Sequence, residues 1–230
     1  MRKYLTVLVM AALAVGGSAS ASVTLDLVSV GQVGNNAYQV VTLVASGGYT
    51  LNQSGVEAGV YNLKVNGVAT PSFCIDIATE QIENQLYTDY NYNPLASSPV
   101  SVIGPMGTQA ATDIEKLWAA YYSPSMNSVQ AAALQVAIWE DEANNSGPGI
   151  DTAGKYTLTV SGNSAVTTQA GSMLAALPGL TAEADLIALV DSGQGYVVAV
   201  PEATTVLAGV LLLLPFGAST LRILRKNRHF

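Results

Sequence analysis

Histidine and cysteine are almost missing from this 230-residue chain, which holds one of each, His229 and Cys74. The histidine stands next to the last residue, so the rest of the chain cannot build a Ser-His-Asp triad or a histidine-ligated zinc site. One cysteine cannot make a thiolate metal cage and has no partner within the chain. There is also no glycine-rich loop followed by Lys-Ser or Lys-Thr, which excludes the common phosphate cradle. Cations are scarce. Residues 22–200 carry three lysines (Lys64, Lys116 and Lys155) against fifteen aspartates and glutamates. Such a surface repels nucleic acid, which is bound by clustered Lys and Arg. It suits divalent cations or a hydrated polysaccharide matrix, although acidity alone often reports only solubility.

What is present is concentrated first at the two ends. Arg2 and Lys3 precede an apolar run over 5–15 and the small residues Ala19-Ser20-Ala21. This is the pattern of a secretory signal peptide, residues 1–21, with a mature chain beginning near Ser22. At the other end Pro201-Glu202-Ala203 leads into an apolar run over 203–221, followed by Arg222, Arg225, Lys226 and Arg228. The run has the length of a transmembrane helix, about 20 residues, and the basic cluster marks its cytoplasmic side. A buried soluble helix is the alternative. The tail over 201–230 resembles a PEP-CTERM sorting signal, a Pro-Glu-Pro-like motif with a transmembrane helix and a basic end, with Ala203 where that family has proline. The resemblance implies a temporary membrane anchor handled by an exosortase-type sorting enzyme. It leaves the body on the cell surface or in an extracellular matrix.

The body, residues 22–200, is long enough for one domain with a sizeable core or two small ones. Alternation and β-branched residues predict strands over 23–27, 37–44 and 60–65, with Gly34-Asn35-Asn36 and Gly47-Gly48 as turns. Asn66-Gly67 reads as a tight hairpin turn into a strand carrying Phe73-Cys74-Ile75-Asp76. Tyr87, Tyr90 and Tyr92 alternate with Asp89, Asn91 and Asn93, which suits either sugar stacking or the tyrosine face of an exposed strand. Helical spacing starts at Thr108, with Ile114, Leu117, Trp118, Tyr121 and Tyr122 on one face. A second helix over 129–139 is apolar nearly all round and must be buried, and Glu140-Asp141-Glu142 is expected to return it to solvent. A strand over 156–160, a weak helix near 169–176, a helix over 182–190 and a strand over 196–200 complete the reading. The fold expected is α+β: an antiparallel β-sandwich or barrel-like domain with a helical insertion, flanked by the signal peptide and the transmembrane helix.

The lone cysteine leaves three readings open: a reactive thiol, an intermolecular bridge, or an inert buried side chain. Phe73-Cys74-Ile75-Asp76 is followed some sixty residues on by Leu134-Gln135-Val136-Ala137-Ile138-Trp139 and later by Gly193-Gln194-Gly195-Tyr196-Val197. In that order these segments resemble the thioester domains of bacterial surface adhesins. Leu134 stands where that family has threonine, and Gly193 where it has an apolar residue. The resemblance implies an internal thioester between Cys74 and Gln194. Gln135 and Trp139 on the buried helix, together with Asp76, would support it. The implied function is covalent adhesion to an amine or hydroxyl of a surface or matrix polymer or protein, with no cofactor, no resident metal and no turnover as an enzyme.

Two other functions stay beside it. One is a non-catalytic matrix or envelope component whose cysteine only packs. The other is a carbohydrate-binding or carbohydrate-active domain using Asp76 with Glu80, or Glu140 with Glu142, as its carboxylates. Asp76, Glu80, Asp141 and Asp151 are oxygen donors for calcium but lack the spaced Asp-x-Asp-x-Asp-Gly pattern.

Overall fold

A computed structural model of the chain describes residues 23–31, 38–80, 82–100, 104–144, 156–191 and 193–200. The strands are β1 (Val23–Val30), β2 (Tyr38–Gly47), β3 (Leu51–Gly59), β4 (Tyr61–Val65), β5 (Val68–Cys74), β6 (Leu86–Pro94), β7 (Pro99–Val100) and β8 (Gly104–Pro105). After them come the helices α1 (Thr108–Tyr121) and α2 (Ser128–Asn144), the strand β9 (Tyr156–Ser161), the helix α3 (Ser164–Ala176), and the strands β10 (Leu186–Val190) and β11 (Tyr196–Ala199). Six strands close an antiparallel barrel in the order β1-β4-β5-β11-β10-β6, and β3-β2-β9 form a second antiparallel sheet. The helices fall between the strands that begin and end the barrel, as a helical insertion.

Local chemistry accounts for the barrel's first corner. Asn66 and Gly67 both take positive φ, 51° and 79°, the two-residue turn whose twist matches a hairpin. Asn66 also bonds across to β1: its side-chain oxygen accepts from the Thr24 N–H at 3.0 Å, and its own N–H donates to the Thr24 carbonyl at 2.8 Å. Val23, Leu25 and Leu27 of β1 alternate inward, as do Tyr61, Leu63 and Val65 of β4.

Helix α2 is the centre of the molecule. It packs on β2, β3 and β9 of the second sheet, on β5 of the barrel, and on α1 and α3. Every residue from Ala131 to Ala143 is buried. Its alanines let the surrounding elements come close, which explains an apolar circumference in place of an apolar stripe.

The structure departs from the sequence reading at four points. Glu140, Asp141 and Glu142 do not lead α2 back to water; all are at most 1% exposed, with Tyr156 of β9 near Glu140 and Glu142 and Asp113 of α1 near Asp141. Residues 186–190 are a strand and not a helix, since β6 and β11 pair with them on both sides and sheet pairing overrides local helix preference. Strand β3 was not expected; its Asn, Gln, Ser, Glu and two glycines carry little β signal, and it forms a sheet edge paired with β2 on one side, with α2 packed against it. Helix α3 starts earlier than 169, at Ser164, where the Asn163 side chain accepts from the Val166 N–H and caps it. Among the described residues no helix is long and apolar enough to cross a membrane. The expected signal peptide and tail, with Pro201, Glu202, Ala203, Arg222, Arg225, Lys226 and Arg228, lie outside the described residues.

Asp141 carries a measurable consequence. One of its oxygens is buried without a hydrogen-bond partner. Burial first, and the charge of Asp113 second, push its carboxyl up to about 8. The folded chain therefore holds a proton over roughly pH 4 to 8 that the unfolded chain has lost. Stability is expected to fall as pH rises through that window, by up to about 1.4 kcal/mol per pH unit. Asp141→Asn, similar in shape and without the charge, should flatten that dependence in urea melts. An unchanged slope would place the effect elsewhere.

Candidate functional site

Cys74 ends β5, and its ladder partner is Tyr196 at the start of β11. Strand β4 pairs with β5 only as far as Ser72, opposite Tyr61. Beyond that point the backbone of Cys74 takes its partner from a side chain. Gln135, fully buried on α2, accepts from the Cys74 N–H at 2.8 Å through Oε1 and donates to the Cys74 carbonyl at 2.8 Å through Nε2. A carboxamide thus replaces one rung of a strand ladder. A hydrophobic residue could not, because both backbone groups would be left buried and unpaired. Phe73 anchors the same strand to α1, edge-on to Trp118 at 5.3 Å and to Tyr122 at 6.1 Å.

The thiol itself sits in a polar nest. It donates to the Asp76 carbonyl at 3.0 Å and accepts from the Asp76 N–H at 3.3 Å. The Asp76 carboxylate turns back on its own loop, accepting from the Ala78 N–H at 2.9 Å and the Thr79 hydroxyl at 2.8 Å. Gln194, in the connection just before β11, reaches the sulfur with its Nε2, which donates to Cys74 Sγ at 2.9 Å. The Trp139 N–H makes no full hydrogen bond, yet the ring lies close enough to favour the thiolate slightly. Burial outweighs this. It pushes the thiol up to about 12, against the opposing pull of the Asp76 backbone, Gln194 and Trp139. Cys74 is therefore an uncharged thiol at neutral pH.

Three tyrosines close around Gln194. Tyr196 donates its hydroxyl to Gln194 Oε1 at 2.9 Å, and Tyr90 donates to the Gln194 backbone carbonyl at 2.6 Å. Tyr61 packs on Tyr196 with ring centroids 5.5 Å apart and is itself close enough to Gln194 for that side chain to act on its hydroxyl. Gly195 makes the approach possible. A Cβ there would stand 3.2 Å from Ile75 Cγ1, while the Gly195 carbonyl accepts from the Ile75 N–H at 2.9 Å.

Above the pair lies a cleft of about 260 Å³, walled by Gln53 to Glu57 of β3, by Tyr61, and by Asp76, Ile77, Thr79, Glu80 and Glu83. Cys74, Trp139 and Gln194 line it, and Glu57, Glu80 and Glu83 give it acidic walls. Glu80 accepts a hydrogen bond from Gln53.

The structure thus brings together Cys74, Gln135, Trp139, Asp76 and Gln194, residues spread over 120 positions of sequence. It also assembles Tyr61, Tyr90 and Tyr196, which sequence reasoning did not assign to the site. Only the tyrosine alternation of β6 hinted at them, and a bulge changes its meaning. Tyr87 and Tyr90 lie opposite Leu25 and Val23 across a register shift, so they share a face, with rings 6.2 Å apart. Tyr90 is fully buried and Tyr92 is exposed; no row of three tyrosines faces solvent. Glu140 and Glu142 do not line the cleft. Among the described residues no three His, Cys, Asp or Glu side chains form a metal-binding group, and Asp151 lies outside the described residues. Comparison with protein-family models, with curated proteins and with solved structures gives no match.

The Gln135 bridge has a direct test. Gln135→Leu leaves the N–H and carbonyl of Cys74 buried without partners. At about 1–3 kcal/mol for each unsatisfied group, a loss of about 2 kcal/mol or more is expected in chemical denaturation. A loss under about 0.5 kcal/mol would mean that other groups satisfy that backbone.

Proposed function

We propose that this is an exported, exosortase-sorted surface or matrix protein whose barrel domain binds its target covalently through a thioester between Cys74 and Gln194. The observation that carries the reading is the contact at 2.9 Å between Gln194 Nε2 and Cys74 Sγ, made at the lining of an open cleft. An ordinary buried cysteine packs against apolar groups. This one is held by a backbone clamp and faces a carboxamide whose other end is held too.

The chemistry balances within the pair. The sulfur bonds Gln194 Cδ, the C–N bond breaks, and the thiol proton leaves with the nitrogen as ammonia. A thiol held near 12 is a weak nucleophile in bulk water. Fixed geometry compensates, since oriented intramolecular partners react as though at very high concentration. An amine or hydroxyl entering the cleft then attacks the acyl carbon. Its proton passes to the departing sulfur, and the target is left joined to Gln194 while Cys74 regains its thiol.

The sorting half of the proposal rests on sequence and on position. The Val200 N–H bonds the Asp185 carbonyl at 2.9 Å, closing the fold, and Pro201 follows at once. A tail beginning there can be held in a membrane or cut without disturbing a barrel strand.

Intact mass of the full chain, compared with Cys74→Ala and Gln194→Ala, tests the bond. The wild type is expected to be lighter than its processed sequence by one ammonia and to take up one methylamine with release of a thiol. Both variants should show their full sequence masses. A wild type at full mass with a free thiol would leave Cys74 as a packing residue and the protein as a structural matrix component.

A further inference from the structure

The carboxamide of Gln194 is gripped at both of its polar ends, and the two grips differ in kind. Its nitrogen, the group that would leave, points to the Cys74 sulfur at 2.9 Å. Its oxygen receives the Tyr196 hydroxyl at 2.9 Å. From these contacts we infer that Tyr196 is the catalytic hydrogen-bond donor of the Cys74–Gln194 acyl transfer, stabilising the oxyanion that forms on Oε1. The inference rests on the thioester reading above and adds to it the group that lowers the barrier.

The fold explains why this residue is in place. Tyr196 is the cross-strand partner of Cys74, and directly paired residues project from the same face of an antiparallel sheet. Sulfur and hydroxyl therefore approach one carboxamide from one side of the barrel wall. The ring is fully buried and wedged between Tyr61 at 5.5 Å and Tyr90 at 6.4 Å. Tyr90 in turn holds the Gln194 main chain by its carbonyl. Attack by sulfur on Cδ moves charge onto Oε1, in surroundings where a fixed donor counts for far more than in water. When the thioester is later attacked by an amine, the same oxygen takes the charge again, so one hydroxyl serves both steps. Burial, with the nearby Cys74 adding to it, drives the Tyr196 hydroxyl well above its ordinary range. It keeps its proton and acts as a donor, not as a base.

The test is the rate of methylamine uptake by the full chain, followed by mass, in the wild type, Tyr196→Phe and Tyr156→Phe. Loss of one such donor typically slows the reaction by about 10²–10³-fold, and that is expected for Tyr196→Phe. Tyr156→Phe, which removes a buried hydroxyl outside the cleft, should stay within about tenfold, the range of small packing effects. A third variant carries 3-fluorotyrosine at 196, a stronger donor of nearly the same shape, and should react faster than the wild type. Tyr196→Phe reacting within a few-fold of wild type overturns the assignment. So does a fluorotyrosine protein that is no faster, because the hydroxyl would then only pack. A wild type that shows no ammonia loss at all removes the thioester reading itself. That result is distinct from a wild type that carries the bond and a Phe variant that cleaves it normally.

Discussion

Two hydrogen bonds from Gln135 to the backbone of Cys74 hold the rest of the architecture in register. They join the central helix to a barrel strand whose neighbour stops short. Because α2 is buried on every side, Gln135 cannot swing to water, and because β4 ends opposite Ser72, Cys74 has no strand to replace it. The cost of leaving these groups unpaired in a dry interior fixes the position of both elements. A sulfur mounted on a backbone so constrained has little freedom, and the same is true of the glutamine opposite it, held through its main chain by Tyr90 and through its side chain by Tyr196.

In the proposed thioester reading this rigidity has a chemical use. A thiol and a carboxamide do not condense readily in water. Here they are in contact, water is largely excluded, and a phenol is aimed at the oxygen that would become charged. The same burial that protects an acyl-sulfur bond from hydrolysis also keeps the free thiol protonated. Access to the pair comes from the cleft between the barrel and the second sheet, with Glu57, Glu80 and Glu83 along its sides. The second sheet thereby earns its place as a wall, which a barrel alone would lack.

Much of the frame was legible from the residues. Alternation located β1, β2, β4 and β9, the Asn66-Gly67 turn located the hairpin, and an apolar circumference located the buried helix with Gln135 and Trp139 on it. Other parts were hidden for physical reasons. Strand β3 is polar and glycine-containing because it sits at an edge, so it carries no inward alternation. The Leu-Ile-Ala-Leu-Val run of β10 suits a helix as well as a strand, and only pairing with β6 and β11 decides it. Glu140, Asp141 and Glu142 look like a solvent-facing end, and what covers them is distant in sequence. The roles of Tyr61, Tyr90 and Tyr196 depend on barrel closure and on a bulge in β6, neither of which has a sequence signature at those positions.

The central claim is a bond, and the most direct observation of it is electron density. A crystal structure of the chain at a resolution that separates neighbouring atoms is expected to show continuous density between Cys74 Sγ and Gln194 Cδ. No nitrogen should remain on that carbon, and the Tyr196 hydroxyl should lie on the carbonyl oxygen. An intact carboxamide in mere contact with a separate thiol, in protein never exposed to an amine, would contradict the account.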